Sequence, residues 1–251
     1  LRGIIVLLMK NVYMKTLVPL LVFAGMQAAS GVLLRWAGVS TTTLSIAVML
    51  SGLFTVLVLW KIGMVQFSRQ MLQHPNRMGW RASVVAAFSC IVAVDLLSEL
   101  LRLPDIMAEQ FMDMAHNWWG IVAIAVVGPI VEELVFREAI LGHMLRSGID
   151  KWTAIVVSAL LFGIIHGNPI QIPFAIAVGT VFGLIYYRMR NVVLTSIIHV
   201  TNNSIAVLEM NLLGDGTREI HYYDYLGMGT EVGLIVVSAL VCIIAIRQID
   251  I

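Results

Sequence analysis

Long apolar runs broken by short polar clusters set the rhythm of this chain. In order, they predict membrane-length helices over residues 12–34, 44–65, 82–101, 119–145, 153–167, 172–189, 192–208 and 229–247. A helix needs about 20 apolar residues to cross the roughly 30 Å hydrocarbon core of a bilayer. The fifth and seventh runs are short for helices surrounded by lipid, so they are expected inside a bundle, where protein covers their ends. Residues 10–30 imitate a signal peptide, with basic Lys10 at the start and Ala28-Ala29-Ser30 at the end. The apolar run continues through Val32, Leu33 and Leu34, so a retained first helix is expected instead. No repeat of 20–50 residues and no matching pair of broken helices is visible, which argues against an inverted-repeat transporter.

Composition agrees with the pattern. Of 251 residues, 59% are hydrophobic and 12% charged, with a mean hydropathy of +0.92. Soluble domains carry about twice that share of charge, so lipid must serve as part of this chain's solvent. The net charge of +1 is scattered, which leaves no basic tract for nucleic acid. The placement of basic residues carries more information. Lys10 and Lys15 precede the first span, Lys61, Arg69, Arg77 and Arg81 fill the second loop, and Arg146 and Lys151 fill the fourth. Arg188 and Arg190 fill the sixth, and Arg247 lies in the tail, whereas the alternate loops are poorer in basic residues. The positive-inside rule then gives an all-α, polytopic helical bundle of about eight spans with both termini cytoplasmic. Residues 1–251 form one integral membrane domain on this reading. Trp118 and Trp119 suit an outer aromatic belt and Trp152 an inner one.

Several polar residues stand where lipid-soluble ones belong. The fourth run contains Glu132, Glu133, Arg137 and Glu138. Each such charge costs about 2.5–3.5 kcal/mol near the bilayer centre on insertion scales. Glu133 and Arg137, four apart, share a face and can form a packing ion pair. Glu132 points about 100° away and lacks a local partner, which marks it as a functional candidate and a possible general base. The fifth run places Phe162 and His166 on one face, and the seventh places His199 and Asn203 on one face. At 1.5 Å per residue, Glu132 and His166 lie at comparable depths. A carboxylate beside an imidazole can activate water, while imidazole and carboxamide can stabilise an oxyanion. Ser158, Ser196 and Ser204 sit in no nucleophile motif, so hydrolysis by activated water is the economical chemistry.

These residues also carry a resemblance. Glu132-Glu133-Leu-Val-Phe-Arg137 resembles the EExxxR motif of the CAAX-protease and bacteriocin-processing family of intramembrane endopeptidases. Phe162-Gly-Ile-Ile-His166 resembles its FxxxH motif, and His199-Val-Thr-Asn-Asn203 its HxxxN motif, over a core of about 119–208. The resemblance implies an eight-helix glutamic peptidase of a bacterial cytoplasmic membrane. In it Glu132 is the base and His166 helps polarise water. His199 and Asn203 stabilise the oxyanion, while Glu133, Arg137 and Phe162 support the site.

The bland readings stand beside the sharp ones. His166, His199 and Asn203 could be interhelical hydrogen-bonding residues. Gly179 and Gly183 form a GxxxG packing motif, Cys90 and Cys242 are apolar fillers, and Asp95 and Glu99 with Arg102 form a helix-end cluster. His143 is interfacial, and His74, His221 and the 209–228 segment belong to loops. The expected partners are the lipid bilayer and a peptide or protein substrate, which could be lipidated. No cofactor is expected. A zinc-dependent peptidase is the alternative mechanism, since two His and a carboxylate can bind zinc, although HExxH is absent. A non-enzymatic immunity or scaffold protein and a proton-coupled transporter are the competing functions.

Overall fold

The structure, a computed structural model, describes residues 12–67, 77–213 and 227–249. These residues form nine helices and no strand: α1 (Val12–Ala37), α2 (Thr41–Lys61), α3 (Arg77–Leu101), α4 (Ala108–Ala115), α5 (Trp118–Arg146), α6 (Lys151–Ile165), α7 (Gln171–Met189), α8 (Val192–Leu213) and α9 (Met228–Gln248). All but α4 and α6 are long and apolar enough to cross a membrane, which makes seven. The protein is a multi-pass integral membrane protein. Helix α6 has 15 residues and reaches only about 22 Å, so its end, which carries His166, stops inside the bundle.

Three differences from the expected spans have local causes. Gly63, with φ +77°, follows the end of α2 at Lys61, so Met64 and Val65 pack as a buried turn. Helix α8 continues one turn past the expected end, to Leu213, because Asn211 donates back to the Val207 carbonyl and across to that of Ala115. Helix α4 falls in what was expected to be loop; its polar residues, Glu109, Gln110 and Asp113, are exposed while Met114 and Ala115 are buried. His74, His221 and residues 214–226 of the 209–228 segment lie outside the described residues.

Helix α5 is the axis, touching α1, α2, α6, α7 and α8, while α3 and α9 pair beside it against α7 and α8. Asn117 caps α5 through Trp119 N–H (3.0 Å) and Gly120 N–H (3.2 Å), and Asp150 caps α6 through Trp152 N–H and Thr153 N–H. The larger core surrounds Val131–Met144 of α5, with Phe23, Leu59, Ile155 and Phe162 packed against it. Small residues Ala82, Ala86 and Cys90 let α3 approach α9, and Cys242 lies in the same buried cluster with both thiols free. The GxxxG motif works within the molecule: a Cβ on Gly179 would stand 3.0 Å from Phe162, and one on Gly183 3.2 Å from Ile155. Trp118, Trp119 and Trp152 are exposed, at opposite ends of the bundle as an aromatic belt requires.

Helix α5 is wound partly as π-helix, over Val122–Val127 and Leu134–Gly142, on either side of a regular turn at Gly128–Glu133. Pro129 has no N–H to donate, and Gly128 N–H reaches back five residues to the Ala123 carbonyl. Wide turns misalign carbonyls, and lipid offers no water to satisfy them. Neighbouring side chains do so. Ser158 Oγ of α6 donates to the Phe136 carbonyl (2.9 Å), and Asn203 Nδ2 of α8 donates to that of Ile124 (3.0 Å).

Gly120 crosses α4 so closely that a Cβ would lie 2.1 Å from the Met114 carbonyl oxygen, whereas nothing lies within 4 Å of one on Gly229. Gly120→Ala is expected to lower stability by about 1–3 kcal/mol or more, as overpacking against backbone does. Gly229→Ala should stay within about 0.5 kcal/mol of the parent. Thermal melting in detergent checks both, and equal melting points for the two variants would contradict the packing described.

Candidate active site

Glu132 and Glu133 fall on the regular turn between the two wide stretches of α5, so their side chains leave the helix in different directions. Glu133 points inward and is 0% exposed. Its Oε1 meets Arg137 Nη1 at 3.1 Å and His199 Nδ1 at 3.1 Å. A carboxylate only accepts, so Nδ1 of His199 carries the proton in that bond. The second ring nitrogen, Nε2, is thereby aimed at Glu132, whose Oε2 lies 3.8 Å away. Glu132 keeps 25% of its side chain exposed and makes no closer ion pair among the described residues. Of two adjacent carboxylates, one is locked in the core and the other is available.

Arg137, 1% exposed, is held largely by aromatic faces. Its guanidinium carbon lies 4.3 Å from the Phe162 ring centroid and 5.3 Å from that of Phe182. Such stacking suits a weakly hydrated planar cation taken out of water. Phe162 also meets both imidazoles edge-on, His166 at 4.9 Å and His199 at 6.0 Å between centroids. It is the wedge that spaces them.

His166 ends α6. Its Nδ1 donates to the Phe162 carbonyl (2.7 Å), one of the carbonyls a helix C-terminus leaves without an N–H, so Nε2 is free to accept. Gly167 turns the chain at φ +64°. Asn168, fully buried, then clamps the α3–α4 connection, donating to Asp105 Oδ1 (2.8 Å) and accepting from Ile106 N–H (3.2 Å). Asn203, one turn beyond His199, gives one amide hydrogen to Ile124 and accepts from Asn202 Nδ2.

The structure therefore brings Glu132, Glu133, Arg137, Phe162 and His199 together and places His166 against the same Phe162, while Asn203, one turn beyond His199, is held against the Ile124 carbonyl of α5. Phe182 and Asn168 were missed in the sequence. Phe182 looks like any core aromatic, and the Asn168–Asp105 contact joins residues 63 positions apart. The partners of Glu138, a charge already visible in the fourth run, were missed as well. Glu138 accepts from Tyr186 Oη (2.5 Å) and Arg146 Nη1 (2.8 Å), tying α5 to α7 below the site. Among the described residues no group of three or more His, Cys, Asp or Glu is arranged to hold a metal ion. An apolar cavity of about 430 Å³ between α5 and α8, walled by Ile130, Leu134 and Ile197, has none of the site residues in its lining.

Fold and site together define a membrane-embedded helical bundle with a carboxylate–imidazole centre at its axis. Residues 114–205 are similar to the family described as type II CAAX prenyl endopeptidase Rce1-like. Two bacterial relatives align over much the same length. YdiL of Bacillus subtilis (strain 168), named as a candidate membrane peptidase, is 28% identical over 88 residues. The membrane-embedded CAAX protease MroQ of Staphylococcus aureus (strain USA300) is 30% identical over 92 residues. The alignments cover 35% and 34% of this chain and 36% of each relative's length. No solved structure matches.

The two glutamates should separate sharply in stability. Glu133→Gln leaves Arg137 without its counter-charge and is expected to cost about 3–5 kcal/mol. Glu132→Gln, on a partly exposed side chain, should cost under about 1 kcal/mol. Chemical denaturation in detergent would measure both; similar losses would mean that the two carboxylates are not partitioned as described. Asn168→Ala removes two hydrogen bonds, one of them to a carboxylate, for an expected loss of about 1–3 kcal/mol. Hydrogen exchange should then rise over 102–107 and 166–170; unchanged exchange there would contradict the clamp.

Proposed function

We propose that the chain is an intramembrane peptidase that cleaves a peptide bond with water activated at Glu132. The observation that carries this reading is the division of labour between the glutamates. Glu133 is consumed by Arg137 and His199, whereas Glu132 is partly exposed and faces an imidazole whose tautomer Glu133 sets. Glu132 takes the proton of the attacking water. His166, with Nε2 unprotonated, accepts a second hydrogen bond from that water and orients it. His199 Nε2, when protonated, and the second amide hydrogen of Asn203 face the oxygen that becomes negative. The proton on Glu132 then passes to the leaving amine, which balances the step.

Serine chemistry gains no support from the side chains. Ser158 spends its hydroxyl on the Phe136 carbonyl and Ser204 on that of Val200, while Ser196 lines the apolar cavity. The relatives' names support a membrane protease, and MroQ's supports CAAX-type proteolysis; a C-terminal, lipid-modified peptide is the substrate class we infer from that name. The basic ends of the helices, with Lys15, Lys61, Arg146, Lys151 and Arg188, face the cytoplasm on this reading.

The test is cleavage by purified protein, with substrates sought by comparing the peptides of cells carrying wild type and Glu132→Gln. Glu132→Gln and His166→Ala should each lower the rate by about 10²–10⁴, the usual contribution of general acid–base groups, without loss of folded protein. Wild-type rates in both variants would end the proposal. Activity that disappears in chelator and returns with zinc would favour the metal-dependent mechanism; activity that persists in metal-free protein would favour water activated by Glu132 and His166 alone.

A further inference from the structure

Away from the α5 centre, the N-terminal turns of α3 and the C-terminal turns of α9 enclose a second cavity, of about 440 Å³. Its walls are graded along the helix axes. Arg77 and Arg81 stand one turn apart at the end of α3, and Gln248 stands at the facing end of α9. One turn deeper the lining becomes Ala82, Val85 and Ala245. Both arginines are exposed, and neither pairs with a carboxylate among the described residues. This end of the bundle is its basic end, where the charged mouth meets the polar face of a bilayer and the apolar floor meets its hydrocarbon.

We propose that this cavity binds one anionic phospholipid. The two guanidiniums are four residues apart on one helix face, close enough for both to donate to a single phosphodiester, which a planar fork of N–H groups recognises better than an ammonium does. Gln248 adds a neutral donor suited to a glycerol hydroxyl. The floor, built from small side chains and Val85, takes the first part of an acyl chain. Basic pockets between membrane helices at the cytoplasmic side have the matching chemistry for acidic headgroups. A free phosphate would leave the apolar floor uncovered, and an acidic peptide would have to bury backbone groups there without partners.

The lipid would brace the one helix pair that does not touch α5. Helices α3 and α9 pack on each other and reach the core through α7 and α8. Arg188 Nη1 of α7 donates to the Ile246 carbonyl on this same end of α9. This inference does not depend on the peptidase reading, because its readout is lipid occupancy.

The experiment is native mass spectrometry of the full chain in detergent, titrated with phosphatidylglycerol against phosphatidylcholine. Wild type should hold one phosphatidylglycerol at least tenfold more tightly than phosphatidylcholine. The Arg77→Gln/Arg81→Gln variant should lose that preference, and Arg247→Gln, a charge loss at the same end but outside the cavity lining, should keep it. Val85→Phe keeps both arginines and fills the floor, so it should also weaken binding; it serves as the second test should the double variant misfold. Equal binding of the two lipids to wild type would overturn the proposal. So would an unchanged preference in both cavity variants, or thermal stabilisation by soluble glycerol 3-phosphate equal to that by phosphatidylglycerol.

Discussion

One carboxylate oxygen holds the centre of this protein together. Glu133 Oε1 is shared between Arg137, one turn along the same helix, and His199, from a helix that arrives 66 residues later. A charge buried this deeply would be prohibitive if left alone, and the guanidinium alone would not position anything outside α5. Sharing the oxygen does both jobs: it neutralises the cost of burial and fixes the tautomer and direction of the imidazole. Everything proposed for Glu132 follows, because Glu132 faces the ring nitrogen that Glu133 leaves over.

The helix that carries this oxygen is irregular for a reason. Pro129 interrupts the hydrogen-bond ladder and wide turns flank it, so α5 presents carbonyls that a regular helix would have used. Ser158, Asn203 and Arg146, from α6, α8 and α5 itself, satisfy those of Phe136, Ile124 and Glu138. The bonds that repair the helix thus also dock its neighbours. Asn203 belongs to both accounts, since one amide hydrogen serves the backbone of α5 and the other is the one we propose for the oxyanion.

Much of this was legible in the chain. The apolar runs gave the helices to within a few residues, the GxxxG pair marked a close-packing face of α7 without naming its partner, and four-residue spacing gave the Glu133–Arg137 pair. The motif positions singled out Glu132, His166, His199 and Asn203, and the structure sets them around one axis without testing what they do. What stayed hidden required a second helix. Spacing along one element says nothing about which nitrogen of His199 meets which glutamate. Phe182 looks like an ordinary core residue until Arg137 is placed beside it, and Asn168 looks like a turn residue until Asp105 approaches it. The ends of α2 and α8 were missed because Gly63 and Asn211 act on backbone geometry rather than on hydropathy.

The most direct test of the shared oxygen is a double-mutant cycle on the free energy of unfolding, pairing Glu133→Gln with Arg137→Met. If the buried charges exist to satisfy each other, the double variant should be more stable than Glu133→Gln alone, with a coupling of about 1–3 kcal/mol between the positions. Additive losses, with a double variant less stable than either single one, would contradict it, because they would mean that Glu133 and Arg137 are held by separate partners.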